Sequence, residues 1–555
     1  TLTISDRGIG MTSEEIEKYI NQIAFSSAEE FIEKFKGIDD KAQIIGHFGL
    51  GFYSAFMVAD LVEIITKSYQ DAPASKWTCD GSPNYTIEEA GKAERGTDIV
   101  LHINEESLEF LEEGKIRALL NKYCKFLPIP IKFGEESYQE ATGEKDKDGK
   151  DVMLENKKDY IINNPNPAWN KSPSDLSDED YLNFYRELYP MSDDPMFWIH
   201  LNVDFPFKLT GILYFPKLKK TYEVQKNKIS LYSNQVFVTD NVDNIVPEFL
   251  TMLHGIIDSP DIPLNVSRSY LQSDSNVKKI TGHISKKVSD KLVELFKKDR
   301  KSFEEKWDSL GVFVKYGMLS DEKFFDRTKE ACLLENVDNA FKTISEYKDQ
   351  VKTLQTDKHG KIVHLYTSDP EAQDTYVGAA KARNYDVLKM DALIDNHFIQ
   401  QLEMKDSDCV FKRVDADTIN NLVEKDEEAA SVLSKEEEEK LKKAYEQCIN
   451  DTSVSVELKA LSPEDMPVQI TQSEWLRRMK EMQQFGGGMP MMGEMPGSLN
   501  LVVNTNHSLA QKILKSKKSQ KEQIGQLYNL ALLSQGMLKG KKLTEFIKKS
   551  MTEMV

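Results

Sequence analysis

The chain lacks several things that would make its function easy to guess. It has no apolar run near the ~18 residues that a membrane-spanning helix requires. It is poor in cysteine: Cys79, Cys124, Cys332, Cys409 and Cys448 are widely spaced, and no pair has zinc-site or redox spacing. That pattern reads as free thiols in a reducing compartment, and cytoplasmic placement is expected. It lacks an excess of positive charge: 72 Lys+Arg stand against 91 Asp+Glu, a formal net charge of −19. Binding a nucleic-acid backbone as the main task is therefore not expected, with a local basic patch left open, and no membrane partner is expected. No repeat with a period of 20–50 residues is present.

What is present is a soluble-protein composition, 40% hydrophobic and 29% charged, over 555 residues. At ~100–200 residues per domain this suggests several domains. The run Thr1-Leu2-Thr3-Ile4-Ser5 alternates as a strand already in progress. Residues 1–134 read as α/β. A helix should start near Thr12, capped by its hydroxyl with Glu15 three residues on. A polar, lid-like stretch (Ser26 to Gln43) precedes an apolar segment, Phe52 to Ala59. Strands are expected near Leu61–Lys67 and Thr97–Ile103, with the proline-interrupted run Phe126–Ile131 as an edge. Residues 135–158 are almost all charged or polar, a linker or a solvated hairpin. Residues 159–420 look mixed α/β, with strand-like runs at 197–203, 211–215, 229–232, 235–239 and 362–366, and a helical section at 276–303. Residues 421–555 open with an acidic, lysine-dotted helix, Glu424 to Gln447. A Gly/Met/Pro segment and a helical tail from Ser508 follow.

Three short motifs carry the chemistry. Asp6-Arg7-Gly8-Ile9-Gly10-Met11 puts a carboxylate just after a strand, where it can accept from an exocyclic amine. Its glycines let the backbone turn tightly against a ligand; a plain turn and helix cap is the other reading. Gly46-His47-Phe48-Gly49-Leu50-Gly51-Phe52 is a glycine-rich turn that can aim backbone N–H groups at an anion. It lacks the Lys-Ser/Thr ending of a P-loop. Gly96-Thr97 heads a strand.

Their order and spacing resemble the ATP-binding fold shared by gyrase B, the ninety-kilodalton heat-shock chaperone, histidine kinases and MutL. Gly46 to Ala59, Asp261 to Gln272 and Pro216 to Asp240 narrow this to a resemblance to the heat-shock protein 90 family. The short linker resembles its bacterial HtpG branch. The Met-Glu-Glu-Val-Asp tail of eukaryotic cytosolic members is not what this chain ends on. The resemblance implies an α/β multidomain fold: a partial Bergerat-type (GHKL) ATP-binding α/β sandwich (1–134), a charged linker (135–158), an α/β middle domain in two parts (159–420), and a mixed α/β C-terminal dimerisation domain (421–555). It implies an ATP-dependent molecular chaperone, a dimeric clamp remodelling client proteins with ATP and Mg2+. Asp6 would bind the adenine amine directly, with Thr97 assisting through water. Gly10 and Met11 would line the base pocket. Gly46, Phe48, Gly49, Leu50, Gly51 and Phe52 would surround the phosphates. Arg268 and Gln272 match the middle-domain catalytic pair that reaches the γ-phosphate. Other chaperones would be further partners.

Three departures stand out. Phe25 occupies the place of the family's lid lysine, and Ser269-Tyr270 stands where Glu-Met is common. The family's general-base glutamate and magnesium-binding asparagine lie upstream of the Asp-x-Gly-x-Gly motif, and the sequence starts five residues before Asp6. The expectation is an N-terminally truncated sequence of a longer ATPase; alone it would not hydrolyse ATP at the family's rate, and an ATP-independent holdase is the alternative for it. A DNA-handling relative is opposed by the charge and by the middle-domain match.

In the C-terminal region Trp475, Met479 and Met482 fall on one helical face and lead to Phe485. Ordinary core packing is one reading. The glycine- and methionine-rich run that follows, and the family's amphipathic client-contacting helix, favour client binding by these four residues. The apolar positions Leu509, Ile513, Ile524, Leu527, Leu530, Leu533, Leu543 and Ile547 are many for a terminal segment unless it packs on something, and the resemblance implies a four-helix dimer interface there.

Overall fold

A computed structural model describes residues 1–22, 51–145, 151–217, 228–242, 246–262, 275–425, 430–472, 499–516 and 519–553. The chain forms two compact units: Thr1–Lys217 with Val224–Ile284, and Leu218–Glu223 with Ser285–Val555.

The first unit holds two five-stranded sheets. One is built from β1 (Leu2–Asp6), β2 (Ala59–Lys67), β3 (Ala74–Cys79), β4 (Tyr85–Ala90) and β5 (Gly96–Ile103), in the order β1-β5-β2-β3-β4. All its pairings are antiparallel. Its inner face packs on Ile16 of the helix Ser13–Tyr19. That helix starts where the sequence predicts: Glu15 N donates to Thr12 Oγ1 and Thr12 N to Glu15 Oε2. The other face of the sheet is solvated and ion-paired, with Lys76 on Glu63 and Lys92 on Asp98. These lysines hold both carboxyls below the usual range.

The run Phe126–Ile131 is not an edge strand. Pro128 and Pro130 have no N–H to give a ladder. The buried Asn163 takes over instead: its Nδ2 donates to the carbonyls of Leu127 and Ile129, and its Oδ1 accepts from Ile131 N at 2.7 Å. Next comes a long antiparallel hairpin, β6 (Lys132–Lys145) with β7 (Asp151–Ile161), the second of the two forms open to that polar stretch.

The other five-stranded sheet comprises β8 (Phe197–Val203), β9 (Leu209–Phe215), β10 (Lys228–Ser233), β11 (Val236–Thr239) and β12 (His254–Asp258), in the order β11-β10-β12-β9-β8. Its core is aromatic: Phe126, Trp169, Phe184, Tyr185, Tyr214 and Tyr232 are all buried. A long helix, Ser275–Lys298, follows. It stops short of Phe303 because Asp299 leaves helical geometry and accepts from Ser302 N, capping a new helix, Arg300–Glu305.

In the second unit the hairpin β13 (Leu333–Glu335) and β14 (Phe341–Thr343) precedes a parallel sheet. There β15 (Ile362–Thr367) lies between β16 (Val387–Lys389) and β17 (Cys409–Arg413). The acidic helix expected from Glu424 begins instead at Lys435. Ser434 caps it reciprocally with Glu437, and only from Leu441 and Tyr445 does it have buried anchors. It packs with β18 (Val454–Lys459), β19 (Val468–Thr471), β20 (Leu499–Asn504) and the tail helices in one core. The tail forms three helices, Ser508–Lys515, Gln520–Ser534 and Gly540–Glu553.

Candidate functional site

Strand register builds the site. Asp6 lies directly opposite Thr97, Thr97 opposite Thr66, and Thr66 opposite Ser75. Directly paired residues point to the same face of a sheet. Four polar side chains therefore form a row across β1, β5, β2 and β3. The two rows before it on that face are apolar: Ile4, Ile99, Ile64 and Trp77, then Leu2, Leu101, Val62 and Cys79. Thr66, Thr97 and Ser75 are buried, whereas Asp6 is exposed and Ile4 is 54% exposed. Among the described residues the face thus ends in an apolar floor beside an exposed carboxylate.

The turn after β1 fixes that carboxylate. Asp6 Oδ1 accepts from Gly8 N at 2.7 Å, which leaves the second oxygen to other donors. Gly10 has φ +62°, and a Cβ there would stand 1.9 Å from the carbonyl oxygen of Lys67. No side chain fits, so the turn closes against the end of β2. Gly96, at φ +122°, is equally required: its Cβ would fall 2.1 Å from the carbonyl oxygen of Asp6.

Thr66 ties these parts together. Its Oγ1 accepts from Met11 N at 3.0 Å, lies 3.0 Å from Thr97 Oγ1, and lies 3.3 Å from the carbonyl oxygen of Gly96. Met11 is half-buried against the same core. The structure thus brings together Asp6, Gly10, Met11 and Thr97. Phe52 joins their core through an edge-on contact with Trp77, 5.7 Å between centroids. It belongs to the short helical turn Gly51–Met57, where Gly51 is exposed. Tyr53 in that turn donates its hydroxyl to Ile20 O at 2.6 Å, and its partial burial raises its pKa.

Gly46, Phe48, Gly49 and Leu50 lie outside the described residues, as do Arg268 and Gln272, and Trp475, Met479, Met482 and Phe485. Thr66 and Ser75 were not legible as site residues. The only trace in the sequence is that the alternation Val62, Ile64 gives way to a threonine at 66, and it acquires meaning only once β2 is paired with β5. Among the described residues no three His, Cys, Asp or Glu side chains gather where they could hold a metal ion.

Two family profiles match the chain. The Hsp90 protein profile covers residues 134–555. The profile described as histidine kinase-, DNA gyrase B-, and HSP90-like ATPase covers residues 1–95, which include Asp6, Thr66 and Ser75 of the polar row and stop just short of Thr97. Among curated proteins, the chain is 56% identical to Chaperone protein HtpG of Porphyromonas gingivalis over 526 residues, 94% of this chain and 75% of that one. It is 54% identical to Chaperone protein HtpG of Bacteroides thetaiotaomicron over 523 residues, again 94% and 75%. It is 32% identical to Chaperone protein HtpG of Bacillus subtilis over 560 residues, 97% of this chain and 86% of the relative. With an ATPase-type sheet at its start and the Hsp90 profile over three quarters of its length, the chain belongs to the heat-shock protein 90 family of chaperones, in its bacterial HtpG-like branch.

Proposed function

We propose that this protein is a dimeric, ATP-driven clamp that binds and remodels client proteins, and that its adenine site is the open end of the β1–β5 sheet. The observation that carries this reading is the row Asp6, Thr97, Thr66 beside the apolar row Ile4, Ile99, Ile64 on the same face. An ionised carboxylate accepts only, so the free oxygen of Asp6 suits an exocyclic amine. An apolar floor suits the face of a purine. Gly10 and Met11 bound the base. Backbone amides of the Gly46–Phe52 turn are assigned to the phosphates on its glycine pattern. Arg268 and Gln272 are assigned to the γ-phosphate, where a guanidinium supplies fixed, permanently charged donors. Mg2+ would neutralise phosphate charge; the described residues offer it no ligand set, and no step is assigned to it.

Pairing of two copies is supported by the tail. Leu530 and Leu533 on one helix, and Ile547 and Met551 on the next, are exposed at helical spacings that align them. Clients are assigned to Trp475, Met479, Met482 and Phe485. A cytoplasmic setting is supported by five free cysteines. No helix among the described residues is long and apolar enough to cross a membrane.

The test uses the full-length protein. ADP binding measured by calorimetry should be lost or strongly weakened in Asp6→Ala, and steady-state ATP hydrolysis should collapse in Arg268→Ala with binding retained. Client-aggregation suppression that is indifferent to nucleotide, together with no ADP binding by the unmodified protein, would favour an ATP-independent holdase.

A further inference from the structure

We propose that a cavity at the carboxyl ends of two helices in the second unit binds an aliphatic primary ammonium group, the head of a lysine side chain or of a free alkylamine, with Asp386 as its counter-charge.

The cavity has a volume of about 320 Å3, and its lining includes Asp338, Gln350, Leu354, Lys381, Tyr385 and Asp386. That is the small end of the range for ligand pockets, ~300–1,000 Å3. Three segments meet there: the last turn of the helix Ile344–Gln355, the end of the helix Asp374–Lys381, and the residues that lead into β16. Helix carboxyl ends carry partial negative charge, which favours a cation. Asn384, at φ +58°, turns the chain from the second helix towards Asp386.

Asp386 is fixed in place by neutral groups. Its N–H donates to Oε1 of the buried Gln355 at 2.6 Å. Asn336 Nδ2 donates to its two carboxylate oxygens at 3.0 and 3.2 Å, and Gln350 Nε2 donates to Oδ2 at 2.5 Å. Among the described residues no lysine, arginine or histidine forms an ion pair with Asp386. Lys381, which also lines the cavity, is paired with Asp338. Two carboxylates thus share one lysine, and a negative charge is left over.

That charge is poorly solvated. Burial pushes the Asp386 carboxyl above the usual range, and nearby Asp338 adds to this. A buried carboxylate without a counter-charge is costly, and a cation entering the cavity relieves the cost. A carboxylate has about four lone-pair positions. Oδ2 takes two amide contacts and Oδ1 one, so Oδ1 has room for one further donor. An ammonium needs one such point, whereas the paired bonds of a guanidinium need both oxygens. The wall beside Asp386 is apolar: Leu354 is 47% exposed and Tyr385 is half-buried. These two can cover the methylene stem behind a charged head.

The experiment titrates pentylamine into the full-length protein carrying labelled leucine and valine methyl groups. NMR follows Leu354 and Val351, which both line the cavity. Both signals should shift, with a Kd on the order of 1 mM. Pentanol has the same stem without the charge and should bind at least about tenfold more weakly; pentanoate should cause no shift. Asp386→Asn should weaken pentylamine about tenfold or more and leave pentanol unchanged, which a collapsed cavity would not do. A short lysine peptide with blocked ends separates the two sources. Binding as tight as that of pentylamine supports lysine side chains as the occupant, and weaker binding supports free amines. Three results each overturn the site: no shift of Leu354 and Val351 with pentylamine, equal binding of pentanol, or undiminished pentylamine binding in Asp386→Asn.

Discussion

The first unit contains two aspartates that each close a strand of a five-stranded sheet and have opposite fates; β1 is an edge strand and β12 the central one. Asp6 ends β1 and Asp258 ends β12, each at the close of a strand in a five-stranded sheet. Asp6 stays exposed, with one oxygen held by Gly8 N. Asp258 is buried, and its Oδ2 accepts from Trp169 Nε1 at 3.3 Å and from Gln235 N at 2.9 Å. Gln235 in turn donates to the carbonyls of Phe126 and Pro165. Burial pushes the Asp258 carboxyl above the usual range. The difference lies in the neighbours. Around Asp258 a tryptophan, a glutamine and an aromatic core close every approach. Around Asp6 two glycines draw the backbone in, and no described residue seals it. One sheet spends its terminal carboxylate on scaffold; the other leaves it to a ligand.

The strongest way to break this comparison is to damage the scaffold. Phe126 is buried against Trp169, Phe184 and Tyr232. Phe126→Ala should cost about 3–5 kcal/mol of stability, read by denaturant unfolding, while ADP affinity per folded molecule stays unchanged. A change in affinity as large as the loss of stability would show that the two sheets are not separable in function.

Asp6→Ala should do the reverse. A hydrogen bond to a charged group contributes about 1.5–3 kcal/mol, so ADP should bind roughly tenfold to a hundredfold more weakly by calorimetry. The unfolding midpoint should barely move, because Asp6 buries nothing.

A third test contrasts two exposed apolar surfaces. Ile4 is read as floor for a ligand, Leu530 and Leu533 as a face for a second copy. Leu530→Ser with Leu533→Ser should weaken the dimer by at least about tenfold, since burying a leucine contributes about 1.5–3 kcal/mol and a two-fold interface counts each change twice. Sedimentation would detect it, and ADP binding should be unaltered. An unchanged dimer sinks the assignment of that face.

The smallest effect is on pH dependence. A carboxyl whose pKa is raised on folding binds its proton more tightly in the native state. The stability Asp258 contributes is therefore full at pH below the ordinary carboxylate range and falls as pH rises through it to the raised value. Asp258→Asn should flatten that decline in unfolding curves taken across the acid range. An undiminished decline in Asp258→Asn would sink the assignment of that pH dependence to Asp258.

Much of this was legible in advance for local reasons. The capping box at Thr12 and Glu15 and the alternation in β1, β2 and β5 need only neighbours in sequence. The Asp-x-Gly-x-Gly turn announced itself because Gly10 must adopt a backbone that other residues avoid. Three readings failed, one to a distant partner and two to local caps that the charge and apolar pattern did not reveal. Phe126–Ile131 looked like an edge strand until Asn163, more than thirty residues away, satisfied its carbonyls. The acidic helix was placed too early because charge alone does not nucleate a helix; it starts at the cap Ser434. The helix at 276–303 breaks where Asp299 prefers to cap.

By itself, then, the sequence determined the family, the α/β character of the parts, and the candidacy of Asp6, Gly10, Met11 and Thr97. Those follow from residue types at short spacing, which local geometry and motif order preserve. Only the tertiary structure decided that Thr66 and Ser75 continue the same polar row, and that Asp6 stays open while Asp258 is sealed. Strand register is set by side-chain packing across segments some thirty to ninety residues apart, and no local pattern encodes which residue will stand opposite which.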